Sequence, residues 1–176
     1  MFLRFNFKSI FILSLGIFLL TSCRISRSVK KTKQPPAVET IHIGHIDKHR
    51  KAIVEEAYTW LGTPYRYASQ EKGRGADCSG MVMVVYETVI GEKLPRNSAM
   101  QADYCKRLEP NEVSAGDLVF FATGKDASKI SHVGIVVDNE YFIHASSSKG
   151  VIVSQFSNNY YQRTFKMFGR VPCMSK

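Results

Sequence analysis

The sequence predicts an α+β domain in which N-terminal helices pack on an antiparallel sheet of about five strands. Three observations support this prediction. Residues 46–61 repeat apolar side chains at helical spacing, residues 78–90 are apolar on nearly every helical face, and short apolar runs alternate with turn residues after Gly116. Helix-type segments therefore precede strand-type segments, and about 130 residues without an internal repeat are enough for one domain.

The first 22 residues have the composition of an export signal. Arg4 and Lys8 precede an apolar stretch that ends at Leu20 and is too short to span a bilayer comfortably. The following residues L-T-S-C resemble a bacterial lipobox, which implies cleavage before Cys23 and lipidation of that cysteine. A plain secreted protein is the alternative, and the small residues before Cys23 argue against it. We therefore expect a lipid anchor at Cys23.

Residues 23–43 are predicted to form a flexible basic tether. Residues 24–34 hold five basic side chains and no acidic one, and two prolines follow. The whole chain has a formal net charge of +9, but residues 44–176 hold 17 basic against 14 acidic side chains, which is only +3. The excess positive charge thus lies where anionic lipid headgroups explain it better than a nucleic-acid groove does. Residues 44–176 remain as the folded domain.

Three helices are predicted before the strands. The first, over residues 46–61, is expected to end at a Gly-Thr-Pro sequence and to bury one apolar stripe: Ile53, Ala57, Trp60 and Leu61. The second, over residues 78–90, suits a central helix because nearly all of its faces are apolar, and Asp77 stands at its N-cap position. A short third helix is expected from Ser98 to Cys105.

Five strands are predicted after Gly116, each bounded by turn residues. Their sequences are D-L-V-F-F, H-V-G-I-V-V, Y-F-I-H-A-S, V-I-V-S-Q-F and M-F-G-R-V. The second and third are joined across residues 137–140 as a hairpin. If its loop holds an odd number of residues, His132 and His144 share one face as direct or diagonal neighbours. A two-residue turn would put them on opposite faces, and a bulge would also change the phase.

Cys78, the first residue of the second predicted helix, is the candidate nucleophile. A cysteine there is often only a small apolar core residue. In the first turn of a helix, however, unpaired N–H groups and the positive end of the helix dipole stabilise a thiolate, so this position predicts a lowered pKa and a reactive thiol. The domain has two other cysteines, Cys105 and Cys173, and the sequence leaves open whether they pair.

Two of the five histidines are candidate partners of this thiol. A nucleophilic cysteine needs an imidazole base within hydrogen-bond reach, and the base in turn needs an orienting group. Three histidines lie in the tether and the first helix, where a solvated edge accounts for them. His132 and His144 lie in apolar strands at a spacing that permits contact. Either one alone is typical of a structural residue, but the pair together with Cys78 predicts catalysis.

An ordered set of motifs resembles the NlpC family of bacterial cell-wall cysteine peptidases, which have a compact papain-like fold. The resemblance covers residues from about 47 to 172 and rests on G-T-P-Y-R-Y (62–67), D-C-S-G (77–80), L-P-R-N-S-A-M-Q (94–101), A-G-D-L-V-F-F (115–121), S-H-V-G-I-V (131–136) and F-I-H-A-S (142–146). One departure is Ala68-Ser69, where the family commonly has paired glycines. It affects the groove wall and leaves the catalytic positions intact.

The resemblance implies a role for each residue of the site. The implied catalytic residues are Cys78 as nucleophile, His132 as base, His144 as the residue that orients the base, and Tyr65 in the oxyanion site. Substrate contacts are implied for Asp77, Ser79, Arg96 and Ser131. Asp77 and Ser79 resemble the groups that bind the free amine of L-alanine in a stem peptide. A helix cap is the alternative for Asp77, and an exposed salt link is the alternative for Arg96.

Family members of this kind hydrolyse peptidoglycan stem peptides, usually between D-glutamate and the following diamino acid. We therefore expect a monomeric, lipid-anchored endopeptidase of the bacterial cell envelope, with its catalytic domain outside the cytoplasm. Its expected partners are stem peptides and a membrane, without nucleic acid, metal or cofactor. Three alternatives stay open: an amidase or transferase on the same fold, a non-catalytic wall-binding lipoprotein, and a zinc site made by Cys78, His132 and His144.

Overall fold

The computed structural model describes residues 48–175. The expected export signal, the lipidation site Cys23 and the tether of residues 23–43 lie outside these residues. The described part contains four α-helices, which are α1 (Lys48–Tyr58), α2 (Cys78–Ile90), α3 (Ser98–Tyr104) and α4 (Asn159–Thr164). Its strands are β1 (Gln70–Glu71), β2 (Gly75–Ala76), β3 (Lys106–Leu108), β4 (Leu118–Phe121), β5 (His132–Val136), β6 (Tyr141–Ser146), β7 (Gly150–Gln155) and β8 (Phe165–Arg170). None of the helices between residues 48 and 175 has the length and apolar character needed to cross a membrane.

Six strands form one antiparallel sheet in the order β3-β8-β4-β5-β6-β7, and β1 and β2 form a separate hairpin. The α+β class and the antiparallel sheet are therefore confirmed, but the sheet has six strands where about five were predicted. The additional strand, β3, lies at the sheet edge and has the sequence K-R-L, with two exposed basic residues. A short, charged edge strand lacks the apolar alternation that would have indicated it.

The helix boundaries follow local signals in α2 and depart from them in α1. Asp77 caps α2 by accepting a hydrogen bond from the Gly80 N–H at 2.7 Å, as its position predicts. The helix ends at Gly91, whose φ of 70° lies in the left-handed region that glycine enters without strain. Helix α1 ends at Tyr58, before the predicted end, so Leu61 is 44% exposed and not part of the buried stripe.

Both faces of the large sheet are buried. One face packs on α1 and α2. The apolar cluster between them includes Ile53, Phe120 and Cys78. The other face carries a second apolar cluster that includes Phe121 and the partly buried Tyr161 of α4. Phe120 and Phe121 enter different clusters because successive strand residues point to opposite faces. Neither α4 nor the burial of this second face was predicted from the sequence.

A buried ion network holds the helices to the sheet. Asp117, which is 1% exposed, precedes β4 and accepts hydrogen bonds from Arg50 of α1 at 2.9 Å and from Arg170 of β8 at 2.7 Å. The Tyr86 hydroxyl of α2 donates to the neighbouring Gly116 carbonyl. The ion pairs thus tie α1 and β8 to the start of β4, and the Tyr86 hydrogen bond ties α2, which carries Cys78, to the same segment.

Candidate active site

A pocket of about 130 Å³ lies between the start of α2 and the strands β5 and β6. Five of the predicted site residues line it: Tyr65, Cys78, Ser131, His132 and His144. Residues that the sequence analysis did not single out complete the wall, among them Thr123 and Tyr161. The fold therefore brings together residues that are more than 60 positions apart in the chain.

The two histidines are hydrogen-bonded to each other. Ile135 pairs with Ile143 and Val136 with Phe142, so the hairpin connection is centred on residue 139. This is the odd-numbered case of the prediction, and the histidines accordingly lie on one face as diagonal neighbours. The distance between His132 Nε2 and His144 Nδ1 is 2.8 Å. Their predicted proximity is thus confirmed.

Two hydroxyl groups surround the other ring nitrogen of His144. His144 Nε2 lies 2.9 Å from Ser154 Oγ of β7 and 3.0 Å from Tyr161 Oη of α4. Neither residue was identified from the sequence. Ser154 could have been found only with the β6–β7 register, which places it diagonally from His144. No sequence signal pointed to Tyr161, because its helix was not predicted.

The Cys78 thiol is buried, which changes its expected ionisation. Cys78 is 7% exposed, and burial raises its pKa to about 11. A hydrogen bond from the Val133 N–H lowers the pKa and the charge of Asp77 raises it, but both effects are smaller than that of burial. The lowered pKa predicted from the helix terminus is therefore wrong. Loss of hydration outweighs the local field because an anion is costly in a water-poor site.

Burial also keeps both histidines neutral near pH 7. It lowers the pKa of His132 to about 4 and that of His144 to about 3, where the charge of His132 contributes as well. The resting site therefore holds a neutral thiol and neutral imidazoles. Such a site can pass a proton from sulfur to nitrogen as a new bond forms, without carrying separated charges beforehand.

Asp77, Ser79 and Arg96 form a polar cluster beside the start of α2. Arg96 donates to Asp77 through Nη1 at 2.9 Å and Nη2 at 2.7 Å, and also to Ser79 Oγ at 3.1 Å. Burial alone would raise the pKa of Asp77, but the hydrogen bonds from Arg96 and the Gly80 N–H lower it overall. The helix cap and the salt link are therefore both present. Contact of these residues with substrate stays a prediction.

Over residues 62–170 the chain matches the model of the NlpC/P60 family. The chain belongs to the NlpC/P60 family. This confirms the family that the sequence motifs indicated, and the papain-like fold of the domain agrees with it.

The chain is similar to several named proteins and solved structures. The chain is 42% identical over 117 residues to the probable endopeptidase NlpC of Escherichia coli K12, which covers 66% of this chain and 75% of that protein. It is 34% identical over 122 residues to the murein DD-endopeptidase MepS/murein LD-carboxypeptidase of the same strain, covering 69% of this chain and 63% of that enzyme. A lipoprotein-like NLP/P60 protein from Staphylococcus aureus has a similar crystal structure, with a TM-score of 0.64 and 30% identity. That match covers 74% of this chain and 44% of the other, so this chain spans less than half of that protein's length.

Tyr65 and Ser131 both line the NlpC/P60 pocket. The pKa of Tyr65 is raised by burial and by the nearby Cys78, so the hydroxyl keeps its proton and can donate it to an anion. Ser131 Oγ accepts hydrogen bonds at 2.9 Å from the backbone N–H groups of Thr123 and Gly124. The Thr123 hydroxyl also lies 3.3 Å from this oxygen, so Ser131 holds the loop after β4.

Metal-ligand geometry and disulfide bonding were both left open by the sequence. Among residues 48–175 no group of three or more His, Cys, Asp or Glu side chains is arranged to hold a metal ion. The zinc alternative built on Cys78, His132 and His144 therefore lacks its ligand geometry. Cys105 is the C-cap residue of α3 and is not joined to Cys173 by a disulfide bond.

Proposed function

We propose that this protein is a lipid-anchored peptidoglycan endopeptidase that cleaves stem peptides by thiol catalysis. Its family membership and its named endopeptidase relatives support the hydrolysis of peptidoglycan. The observation that carries the catalytic assignment is the 2.8 Å contact between His132 and His144 in the pocket that Cys78 also lines. In this proposal Cys78 is the nucleophile, His132 is the base and His144 orients the base.

In this proposal His132 Nδ1 is the nitrogen that transfers the proton. His132 Nε2 is engaged with His144, so Nδ1 is the nitrogen left to face the thiol. As the Cys78 sulfur attacks the amide carbonyl carbon, its proton passes to His132 Nδ1. The carbonyl oxygen becomes an oxyanion beside the Cys78 backbone N–H and the Tyr65 hydroxyl, both of which are hydrogen-bond donors.

The tetrahedral intermediate collapses when His132 returns the proton to the leaving amine. The carbon–nitrogen bond breaks and a thioester between the substrate acyl group and Cys78 remains. Water then gives a proton to His132 and its oxygen attacks the thioester carbon. The carboxylic acid product leaves, the proton returns to sulfur, and the resting neutral pair is restored.

The proposed scissile bond joins D-glutamate to the following diamino acid. The family resemblance supports this bond. It implies that Asp77 and Ser79 bind the free amine of L-alanine and that Arg96 lines the groove. The name of the E. coli MepS relative specifies DD-endopeptidase and LD-carboxypeptidase activities, which differ from cleavage at the bond proposed here. A substrate amine at Asp77 would compete with Arg96, which already donates two hydrogen bonds to that carboxylate.

Digestion of purified sacculi followed by mass spectrometry of the fragments tests the bond. We expect fragments that end in D-glutamate, paired with fragments that begin with the diamino acid. Cleavage at D-alanine would assign a DD- or LD-activity instead, and release of the whole stem from the glycan would assign an amidase. Binding to sacculi without any fragment would favour the wall-binding alternative.

Alanine substitutions test the assigned roles. His132→Ala should lower kcat on a purified tetrapeptide as far as Cys78→Ala does, by about 10⁴-fold or more, and the double variant should be no worse. His144→Gln should keep measurable turnover, since another polar side chain can partly orient the base. Circular dichroism confirms folding of each variant. If His132→Ala stays active while His144→Gln is inactive, the proposal has assigned the base to the wrong strand.

The anchor is tested separately, at the N-terminus. Processing before Cys23 predicts a membrane-bound protein whose mature N-terminal residue is a lipidated cysteine. Cys23→Ser should release the protein from the membrane fraction or leave it unprocessed. Mass spectrometry of the mature N-terminus decides the matter, and an unmodified start at any other residue would refute the anchor.

A further inference from the structure

His144 is the residue of this site with the most complete set of polar partners. Its ring is 1% exposed, Nδ1 contacts His132 Nε2 at 2.8 Å, and Nε2 contacts Ser154 Oγ at 2.9 Å and Tyr161 Oη at 3.0 Å. The proposed mechanism uses His144 but does not use either hydroxyl.

A neutral imidazole carries one N–H, so the contacts restrict where each proton lies. For His132 Nδ1 to accept the thiol proton, the N–H of His132 must be at Nε2. It then donates to His144 Nδ1, which must carry no proton, and the N–H of His144 is therefore at Nε2. In the opposite arrangement His144 Nδ1–H donates to His132, and the His132 proton lies at Nδ1, where it blocks acceptance from the thiol.

We propose that Ser154 and Tyr161 are positioning residues, whose hydroxyl oxygens accept the His144 Nε2–H and so hold both histidines in the tautomer that leaves His132 Nδ1 unprotonated. This inference rests on the proposed function, because it assigns the support of the same base. Because two oxygens flank the His144 Nε2–H, this N–H still has an acceptor when one of the two hydroxyls is oriented away from it. A buried N–H without an acceptor is costly, which disfavours this tautomer when both oxygens are removed.

The surroundings fix both hydroxyls in place. Tyr161 packs its ring against Phe121 and Phe142, with centroid distances of 5.3 Å and 4.9 Å. Ser154 is paired with Phe142 in the β6–β7 ladder, on the same face as His144. Removal of a hydroxyl by Tyr161→Phe or Ser154→Ala therefore leaves the packing shape nearly unchanged, which makes these substitutions clean probes.

Nitrogen-15 NMR of the full chain, labelled at histidine, reads the tautomers directly and needs no substrate. His132→Gln and His144→Gln spectra assign the signals. In the wild-type protein at neutral pH we expect Nε2–H on both histidines, and in the Ser154→Ala/Tyr161→Phe double variant a gain of the Nδ1–H form. A wild-type His144 with its proton on Nδ1, or an unchanged tautomer in the double variant, would overturn the proposal.

Steady-state kinetics on a purified tetrapeptide gives the functional readout. Each single variant keeps one acceptor, so kcat should fall by no more than about 3-fold, whereas the double variant should lose about 30-fold or more, with KM little changed. Tyr141→Phe is the matched control, because its hydroxyl accepts from Gln155 across the same two strands and touches no histidine. A double variant with wild-type kcat would overturn the positioning role.

The two experiments separate this inference from the proposed function. If Cys78→Ala still cleaves the tetrapeptide, the proposed catalytic function fails whatever the tautomers are. If Cys78→Ala is inactive and the wild-type tautomers are as expected, but the double variant is fully active, the proposed function stands and the positioning role fails.

Discussion

Replacement of Gly134 by alanine should be costly, although glycine-to-alanine substitutions are usually mild. Gly134 lies in β5 on the same face as His132. A Cβ atom there would lie 2.8 Å from Phe142 Cδ2, 3.0 Å from the Ile143 carbonyl oxygen and 3.2 Å from His144 Cβ. All three distances are shorter than ordinary van der Waals contacts between such atoms, so the neighbouring strand or its side chains must move.

The cost follows from how little room these neighbours have. Phe142 is fully buried, with Phe156 and Tyr161 both 4.9 Å from its ring centroid, so its ring cannot turn away freely. Overpacking of this kind lowers the free energy of unfolding by about 1–3 kcal/mol. Displacement of His144 also lengthens its 2.8 Å contact with His132, and we expect kcat to fall by roughly 10-fold or more.

Urea denaturation and steady-state kinetics of Gly134→Ala measure the two effects. Gly124→Ala is the control, because a Cβ there meets only Ser131, at 3.4 Å and 3.5 Å. The control should be as stable as the wild type or slightly more stable, since alanine reduces the entropy of the unfolded chain. A Gly134→Ala variant with wild-type stability and turnover would refute the steric reasoning.

Three further predictions concern ionisation and backbone strain. Burial holds the pKa of Cys78 at about 11, so the rate of its alkylation by iodoacetamide should rise between about pH 6 and pH 9. A rate independent of pH would instead indicate a preformed thiolate–imidazolium pair with His132. Ala68 has a φ of 56°, so Ala68→Gly should stabilise the domain against urea by up to about 1 kcal/mol, and a clear loss of stability would contradict this. The pKa of Asp77 is lowered in the folded state, so the stability that its pair with Arg96 contributes is present above the unfolded pKa and is lost as the pH falls through the folded value. Arg96→Ala should therefore lower the free energy of unfolding by about 0.5–1 kcal/mol at pH 7 and by less at about pH 3. The value is small because the Arg96 side chain is 39% exposed. An equal loss at both pH values would exclude an electrostatic origin.

The start of α2 shows how far local sequence signals reach. A cap residue, a long apolar run and a terminal glycine act within a few positions of one another, and they place Cys78 at the first turn of a central helix. The pairing of His132 and His144 needed one more piece of information, the length of a short hairpin loop. The sequence restricted it to two cases, and the register centred on residue 139 decided between them.

The sequence alone therefore determined the family, the α+β class and five of the residues that line the pocket, because these depend on short-range patterns and ordered motifs. Tertiary structure decided the ionisation of Cys78, since burial is a property of the whole fold and exceeds the local field of the helix terminus. It also decided the surroundings of His144. Ser154 reaches that ring through the β6–β7 register, and Tyr161 reaches it from a helix packed on the second sheet face. The residues adjacent to them in the sequence indicate neither contact.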